Sequence, residues 1–247
     1  MIVPKSKEIE KEANLQSRID ELQTSMNELS YIISHDLIEP VRTIKSFAEL
    51  IKTRHIDQLN NKEASDDFEF IIDGADRLFS MIKGMLDYSK LSSREYQYEE
   101  FDTLEILDTV IKDLMTVTNK TNASILCYEM PAIKFNKTSL AQVFSNLISN
   151  SLKYRSKERI PKIEIHVEEK ESEYLFIVED NGIGFNNEHA YRIFVIFQRL
   201  HSNDSELFGT GLGLAICKKI IENEGGRIWA EGVEGEGARF YFTIKKY

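Results

Sequence analysis

From Leu15 to Ile33 the apolar residues Leu15, Ile19, Leu22, Met26, Leu29 and Ile33 recur at alternating spacings of four and three. Polar and charged residues fill the gaps. Such a repeat is a heptad seam, and it commits a chain to helices that pair with other helices. Up to Leu91 glycine occurs only at Gly74 and Gly84 and proline only at Pro4 and Pro40, so little interrupts the helical grammar. Beyond Ile33, consecutive spacings of four to Leu37 and Val41 shift the phase, and Ile44, Ala48 and Ile51 carry the seam on along a rotated face. His35 lies inside this shift, and Pro40 follows it by five residues. A proline within a helix removes one hydrogen bond and bends the axis.

The polar stretch 54–62 reads as a turn. A second helix follows, with Phe68, Ile71, Ala75, Leu78, Ile82, Met85 and Ser89 at spacings of three and four. Ile72, Phe79 and Leu86 widen its apolar stripe. One helical hairpin cannot bury stripes that wide. The sequence therefore predicts a homodimer in which two hairpins form a four-helix bundle.

From about Tyr96 the grammar changes. Asp102-Thr103-Leu104-Glu105 has the form of a capping box opening a helix to about Val117. Residues 123–129 read as a strand, and Thr138 to Tyr154 is apolar at helical spacing. Strands follow at 162–168 and 173–179, then a long polar loop with a short helix at 182–208. A helix spans 211–224 and ends at Gly225-Gly226, and strands at 227–231 and 238–245 close the chain. Helices with antiparallel strands give one sheet backed by helices. The predicted fold is thus α plus α/β. Residues 1–33 form a coiled-coil signalling helix, 34–94 a helical hairpin and 95–247 an α/β sandwich domain.

Charge narrows the function classes. The 247 residues hold 41 acidic and 31 basic side chains, a net charge of −10. Nucleic acids and anionic membranes call for a basic surplus, so neither is an expected partner. No apolar run is long enough to span a bilayer. Two distant cysteines, Cys127 and Cys217, form no disulfide framework and fit a reduced, cytoplasmic setting. They read as small buried fillers, and Trp229 as a core residue. The remaining histidines, His55, His166, His189 and His201, show no metal-ligand spacing.

Three stretches carry chemistry. Asp180-Asn181-Gly182-Ile183-Gly184 ends an apolar strand. It is either a simple strand-ending turn or a carboxylate placed to accept an exocyclic amine, with glycines that let backbone approach a flat ring. Gly209-Thr210-Gly211-Leu212-Gly213-Leu214 runs straight into a helix, where exposed backbone N–H groups and the helix dipole favour a phosphate. Asn146 and Asn150 lie four apart on one helix face, with Lys153 and Tyr154 close behind. They are either a solvated face or hard oxygen ligands for Mg²⁺ beside a lysine that meets phosphate.

Taken together, the order and spacing of these stretches resemble the ATP-binding domain shared by sensor histidine kinases, type II topoisomerases, mismatch-repair ATPases and heat-shock chaperone ATPases. Residues 142–154 resemble the kinase N box, 180–184 the G1 box, 193–200 the F box of an ATP lid and 209–213 the G2 box. Ser34-His35-Asp36-Leu37-Ile38-Glu39-Pro40-Val41-Arg42 resembles the H box of histidine kinases, in a form similar to that of phytochrome-type kinases.

The resemblance implies a two-component protein-histidine kinase with ATP and Mg²⁺. His35 would be the phosphoacceptor and Asp36 its hydrogen-bonding partner. Asn150 would be the metal ligand, with Asn146 beside it. Lys153 would meet phosphate and Tyr154 the nucleoside. Asp180 would bond the adenine amine, with Gly182 and Gly184 against the ring. Gly209, Thr210, Gly211, Leu212 and Gly213 would pass the phosphates, and Arg199 would serve in the lid. The implied partners are a second copy of the chain, the receiver domain of a separate response regulator, and an upstream sensor domain if the chain is a fragment. Phosphatase activity in this family uses a Thr or Asn where Glu39 stands here, which argues against that route. The competing functions are a degenerate kinase acting as a nucleotide-binding scaffold and an ATP-independent phosphorelay transferase.

Overall fold

The structure is a computed structural model that describes residues 37–39, 41–53, 62–91, 97–198, 200 and 210–246. The heptad seam, His35, Asp36, Pro40, the turn at 54–61, Arg199 and Gly209 lie outside the described residues. The chain divides into two compact units, residues 1–94 and 95–247.

In the first unit, helical residues 37–39 and 41–53 (α1) and the helix Lys62–Lys90 (α2) pack against each other. Val41, Ala75 and Ile82 are buried between them, with Ile38 and Phe79 packed alongside. Lys45 Nζ bonds both carboxylate oxygens of Asp76, at 2.6 and 2.8 Å, and Lys52 Nζ meets Glu69 at 2.6 Å. These exposed ion pairs set the pairing of the helices more than their stability. The α2 stripe divides: Ala75 and Ile82 are buried, whereas Ile71, Leu78 and Met85 remain exposed.

The second unit is built on a sheet of five strands in the order β2-β4-β5-β7-β6. The elements run β1 (Glu99–Asp102), α3 (Thr103–Asp113), α4 (Met115–Thr121), β2 (Ser124–Cys127), β3 (Ala132–Phe135) and α5 (Lys137–Lys153). Then come β4 (Lys162–Glu169), β5 (Glu173–Asp180), two 3-10 turns, α6 (Gly213–Asn223), β6 (Ile228–Val233) and β7 (Gly237–Lys245). Not all pairings are antiparallel, as the sequence had suggested: β2 runs parallel to β4. A parallel neighbour needs a long crossover, and α5 lies in this one.

Period-two burial explains the sheet. Ile163 and Ile165 on β4, Phe176 and Val178 on β5, and Phe240 and Phe242 on β7 are buried on one face. Helix α5 lays Leu140, Val143, Phe144, Leu147, Ile148 and Leu152 into the same core. Phe144 meets Phe176 and Phe242 edge-on at 5.9 and 5.6 Å between centroids, and those two rings stack at 4.9 Å.

Several local expectations change. The helix expected to run to Val117 turns at Leu114, and no residue of the following α4 is buried, so packing does not hold it in line with α3. A short pair, β1 with β3, appears where no strand is expected from local pattern; each strand has four residues, and only their mutual pairing defines them. The short helix expected between residues 182 and 208 is two 3-10 turns, Asn187–His189 and Arg192–Phe194. Trp229 is half-buried, not core: it lies opposite Tyr241 and stacks on it at 5.1 Å. Cys217 is fully buried, but Cys127 is only half-buried. Among the described residues no helix is long and apolar enough to cross a membrane.

Candidate nucleotide site

Asn136 caps α5 by accepting the Ser139 N–H at 2.9 Å. The apolar face of α5 then turns inward, which leaves Asn146, Asn150 and Lys153 on the other side at spacings of four and three. All three line a cavity of about 270 Å³. Tyr154, Asp180, Gly184, Thr210, Gly211 and Gly213 line it too. Residues far apart in sequence therefore meet in one place. Gly182 and Leu212 are not part of the lining. Leu212 is buried at the start of α6, and Gly182 packs against the end of α5.

Asp180 closes β5 at the cavity wall. Its Oδ1 accepts the Gly182 N–H at 2.9 Å and its Oδ2 accepts the Ser151 hydroxyl at 2.9 Å. The Ala238 backbone N–H also bonds the carboxylate. Burial nonetheless holds the Asp180 carboxyl above its ordinary value, because desolvation outweighs these three donors. An ionised carboxylate has about four acceptor positions, so one is left for a ligand donor.

Glycines shape the wall around it. A Cβ at Gly182 would lie 2.5 Å from the Tyr154 carbonyl oxygen. Gly184 has φ +63°, and a Cβ there would lie 2.0 Å from the Val233 carbonyl oxygen. The Ile183 N–H bonds the Tyr154 carbonyl at 2.9 Å, which ties this loop to α5.

The opposite wall is the start of α6. No side chain caps this helix, and its first i to i−4 bond runs from Ile216 to Leu212. The N–H groups of Gly213, Leu214 and Ala215 therefore precede the helical ladder. Asn146 Nδ2 donates to the Gly213 carbonyl at 3.2 Å, joining the helix start to α5. Gly211 has φ +71°, and its carbonyl accepts the Phe197 N–H at 3.0 Å, which ties the two segments together. Burial pushes the nearby Cys217 thiol up to about 12, so it is inert here.

Lys153 Nζ donates to the Tyr154 hydroxyl at 3.1 Å and lies 4.5 Å from its ring centroid. Phe185, Ile193, Leu200 and Phe240 add apolar lining. Ile193 and Leu200 are the two ends of the stretch 193–200 that resembles the F box, whereas Phe185 and Phe240 come from separate segments and share no motif with them. Ser151 was missed, although its place one residue after Asn150 turns it from the pocket face toward Asp180. Among the described residues no group of three His, Cys, Asp or Glu side chains could hold a metal. A cation here would take protein oxygen from the asparagine amides.

Comparison with known proteins agrees with this geometry. Residues 135–247 match the family described as Histidine kinase-, DNA gyrase B-, and HSP90-like ATPase. Residues 25–94 match the His Kinase A (phospho-acceptor) domain. The chain is 40% identical over 232 residues to Cyanobacterial phytochrome A of Nostoc sp. (strain PCC 7120), covering 94% of this chain and 30% of that protein. It spans about 30% of the length of the curated relatives it matches. The catalytic domain of histidine kinase ThkA is 30% identical, with a TM-score of 0.52 and coverage of 61% of this chain and 96% of that one. ThkA in complex with response regulator protein TrrA gives 26% identity and a TM-score of 0.61, covering 100% of this chain and 68% of that one.

Proposed function

Since the chain belongs to the sensor histidine kinase family, we propose that it phosphorylates itself on His35 with ATP. The phosphoryl group then passes to an aspartate on the receiver domain of a separate response regulator. One observation carries the reading: Asp180, the pair Asn146 and Asn150, Lys153 and the uncapped start of α6 converge on a single cavity.

The division of labour follows from the chemistry of these groups. Asp180 accepts a hydrogen bond from the exocyclic amine of adenine, and Gly184 and Tyr154 border the base. Gly182 keeps the loop close enough for that contact. Gly211, Gly213 and the α6 N-terminus meet the phosphates through backbone N–H groups, which needs no charged side chain. Gly209 is read as a further glycine that passes the phosphates, the Thr210 hydroxyl accepts the Leu212 N–H at 3.3 Å within that loop, and Lys153 adds a point charge to the phosphates. Asn150 is the Mg²⁺ ligand, with Asn146 beside it. Two amide oxygens suit an ion that keeps most of its waters and phosphate contacts, and Mg²⁺ there would neutralise phosphate charge. Arg199 acts in the lid.

His35 attacks the γ-phosphorus through a neutral ring nitrogen, a form available because free imidazole titrates near 6.5. The nitrogen–phosphorus bond forms as the bond from phosphorus to the bridging oxygen breaks, and ADP leaves with that oxygen. Asp36 accepts a hydrogen bond from the other ring nitrogen and fixes the tautomer. The protein's main task is positioning and charge neutralisation, as phosphoryl transfer requires. The exposed apolar faces of α1 and α2 support a homodimer. The solved ThkA–TrrA complex supports a response regulator partner. Residues 1–33 are read as a signalling coiled coil joined to the hairpin at 34–94, and the two free cysteines suit a cytoplasmic setting.

Incubation with γ-labelled ATP and Mg²⁺ tests the reading. Acid-labile label on the chain, absent from His35→Gln, is the expected result. Label retained by His35→Gln would overturn the assignment. No label on either chain would favour a scaffold, and label acquired only from a phosphorylated regulator would favour a relay transferase.

A further inference from the structure

Arg159 lies in the connection between α5 and β4, outside every motif discussed so far. Its Nη2 donates to the Gly182 carbonyl at 2.9 Å and to the Gly235 carbonyl at 2.6 Å. These two carbonyls belong to different structures. Gly182 is in the loop after Asp180, and Gly235 is at the tip of the β6–β7 turn. The same two loops touch again through the Gly235 N–H, which bonds the Ile183 carbonyl at 2.8 Å. They also approach too closely for side chains. A Cβ at Gly237 would lie 1.9 Å from the Asp180 carbonyl oxygen.

The consequence reaches the base contact in two steps. Arg159 holds Gly182 by its carbonyl, and Gly182 holds Asp180 Oδ1 by its N–H at 2.9 Å. We propose that Arg159 is a positioning residue for base recognition: by clamping the loop after Asp180 to the β6–β7 turn, it fixes the carboxylate in the orientation that selects an adenine amine. The inference rests on the nucleotide reading given above. A planar guanidinium suits the task, because the two N–H groups on one nitrogen diverge toward two acceptors at a fixed angle. Arg159 is exposed, so its removal leaves the core untouched.

The test is a ratio of affinities. ADP carries the exocyclic amine, whereas IDP places a carbonyl there and turns acceptor toward acceptor. The unaltered full chain should bind ADP more tightly than IDP by equilibrium titration. In Arg159→Ala, ADP binding should weaken about tenfold, the order expected for losing a charged hydrogen bond, while IDP binding falls by no more than about twofold. The preference for ADP therefore shrinks about fivefold. A merely structural arginine would weaken both ligands equally, and an unchanged ADP to IDP ratio in Arg159→Ala would overturn the clamp. Equal binding of ADP and IDP by the unaltered chain would instead remove the base contact of Asp180, and with it this inference.

Discussion

In the helical unit Ile44, Phe47, Ile71 and Leu78 stay exposed around a core of Val41, Ala75 and Ile82. In the α/β unit Phe144, Phe176 and Phe242 are fully buried against one another. Both regions are built from amphipathic elements, but among the described residues only the second closes its core. A two-helix unit has two apolar stripes and one mutual interface, so part of each stripe stays outside. A sheet backed by α3, α5 and α6 has enough layers to cover one face completely. The difference fits the proposed roles, in which a second copy would cover the one region and a nucleotide would fill the cavity of the other.

The largest effect that can break this comparison lies on the exposed stripe. Leu78→Glu places a charge where a second copy is proposed to pack, and two-fold symmetry makes the change twice. Dimerisation should weaken by about 3–6 kcal/mol, two buried leucines' worth, and sedimentation should show a monomer. An unchanged dimer would separate the stripe from assembly. Next comes Phe144→Ala, which should cost about 3–5 kcal/mol. Its loss, read by urea denaturation, should not depend on protein concentration, because that core lies within one chain.

What was legible in the sequence follows the same division. Helix α5 was read at 138–154 and is found at Lys137–Lys153, because a continuous apolar stripe meets a continuous core. Strands β4 and β5 were readable for the same reason. The pair of β1 and β3 was not, since Glu99–Asp102 carries three acidic residues and gains its strand form only from partners that run from Ala132, opposite Asp102, to Phe135, opposite Glu99. A separation that long is invisible to local patterning. In the cavity, Asn146, Asn150, Asp180 and Gly211 belong to recognisable stretches. Phe185 and Phe240 line it through tertiary contact alone, and behind its wall Ser151 and Arg159 reach Asp180 and Gly182 by hydrogen bonds that no spacing announces.

Smaller effects sharpen the account within the α/β unit. Asp180→Asn replaces an acceptor-only group with one that presents donors, and should weaken ADP by about 2–3 kcal/mol, measured by calorimetry. The smallest effect is pH dependence. Burial holds the Asp180 carboxyl above its ordinary 3.8, so the folded chain binds that proton more tightly than the unfolded chain does. Its contribution to stability is full below the unfolded value and is lost as pH rises through the raised folded one. Nucleotide binding runs the opposite way and should strengthen with pH across that interval. Fluorescence titration of ADP at a series of pH values checks the sign, and Asp180→Asn should flatten the curve.

On the proposed reading the α/β unit delivers a phosphoryl group from its nucleotide to His35 of the helical unit. Phosphorus-31 NMR of the purified chain after incubation with ATP and Mg²⁺ tests it directly. A phosphoimidazole resonance that disappears in His35→Gln and on acidification is the predicted result. A spectrum with nucleotide consumed and no phosphorus on imidazole, or an unchanged resonance in His35→Gln, would contradict it.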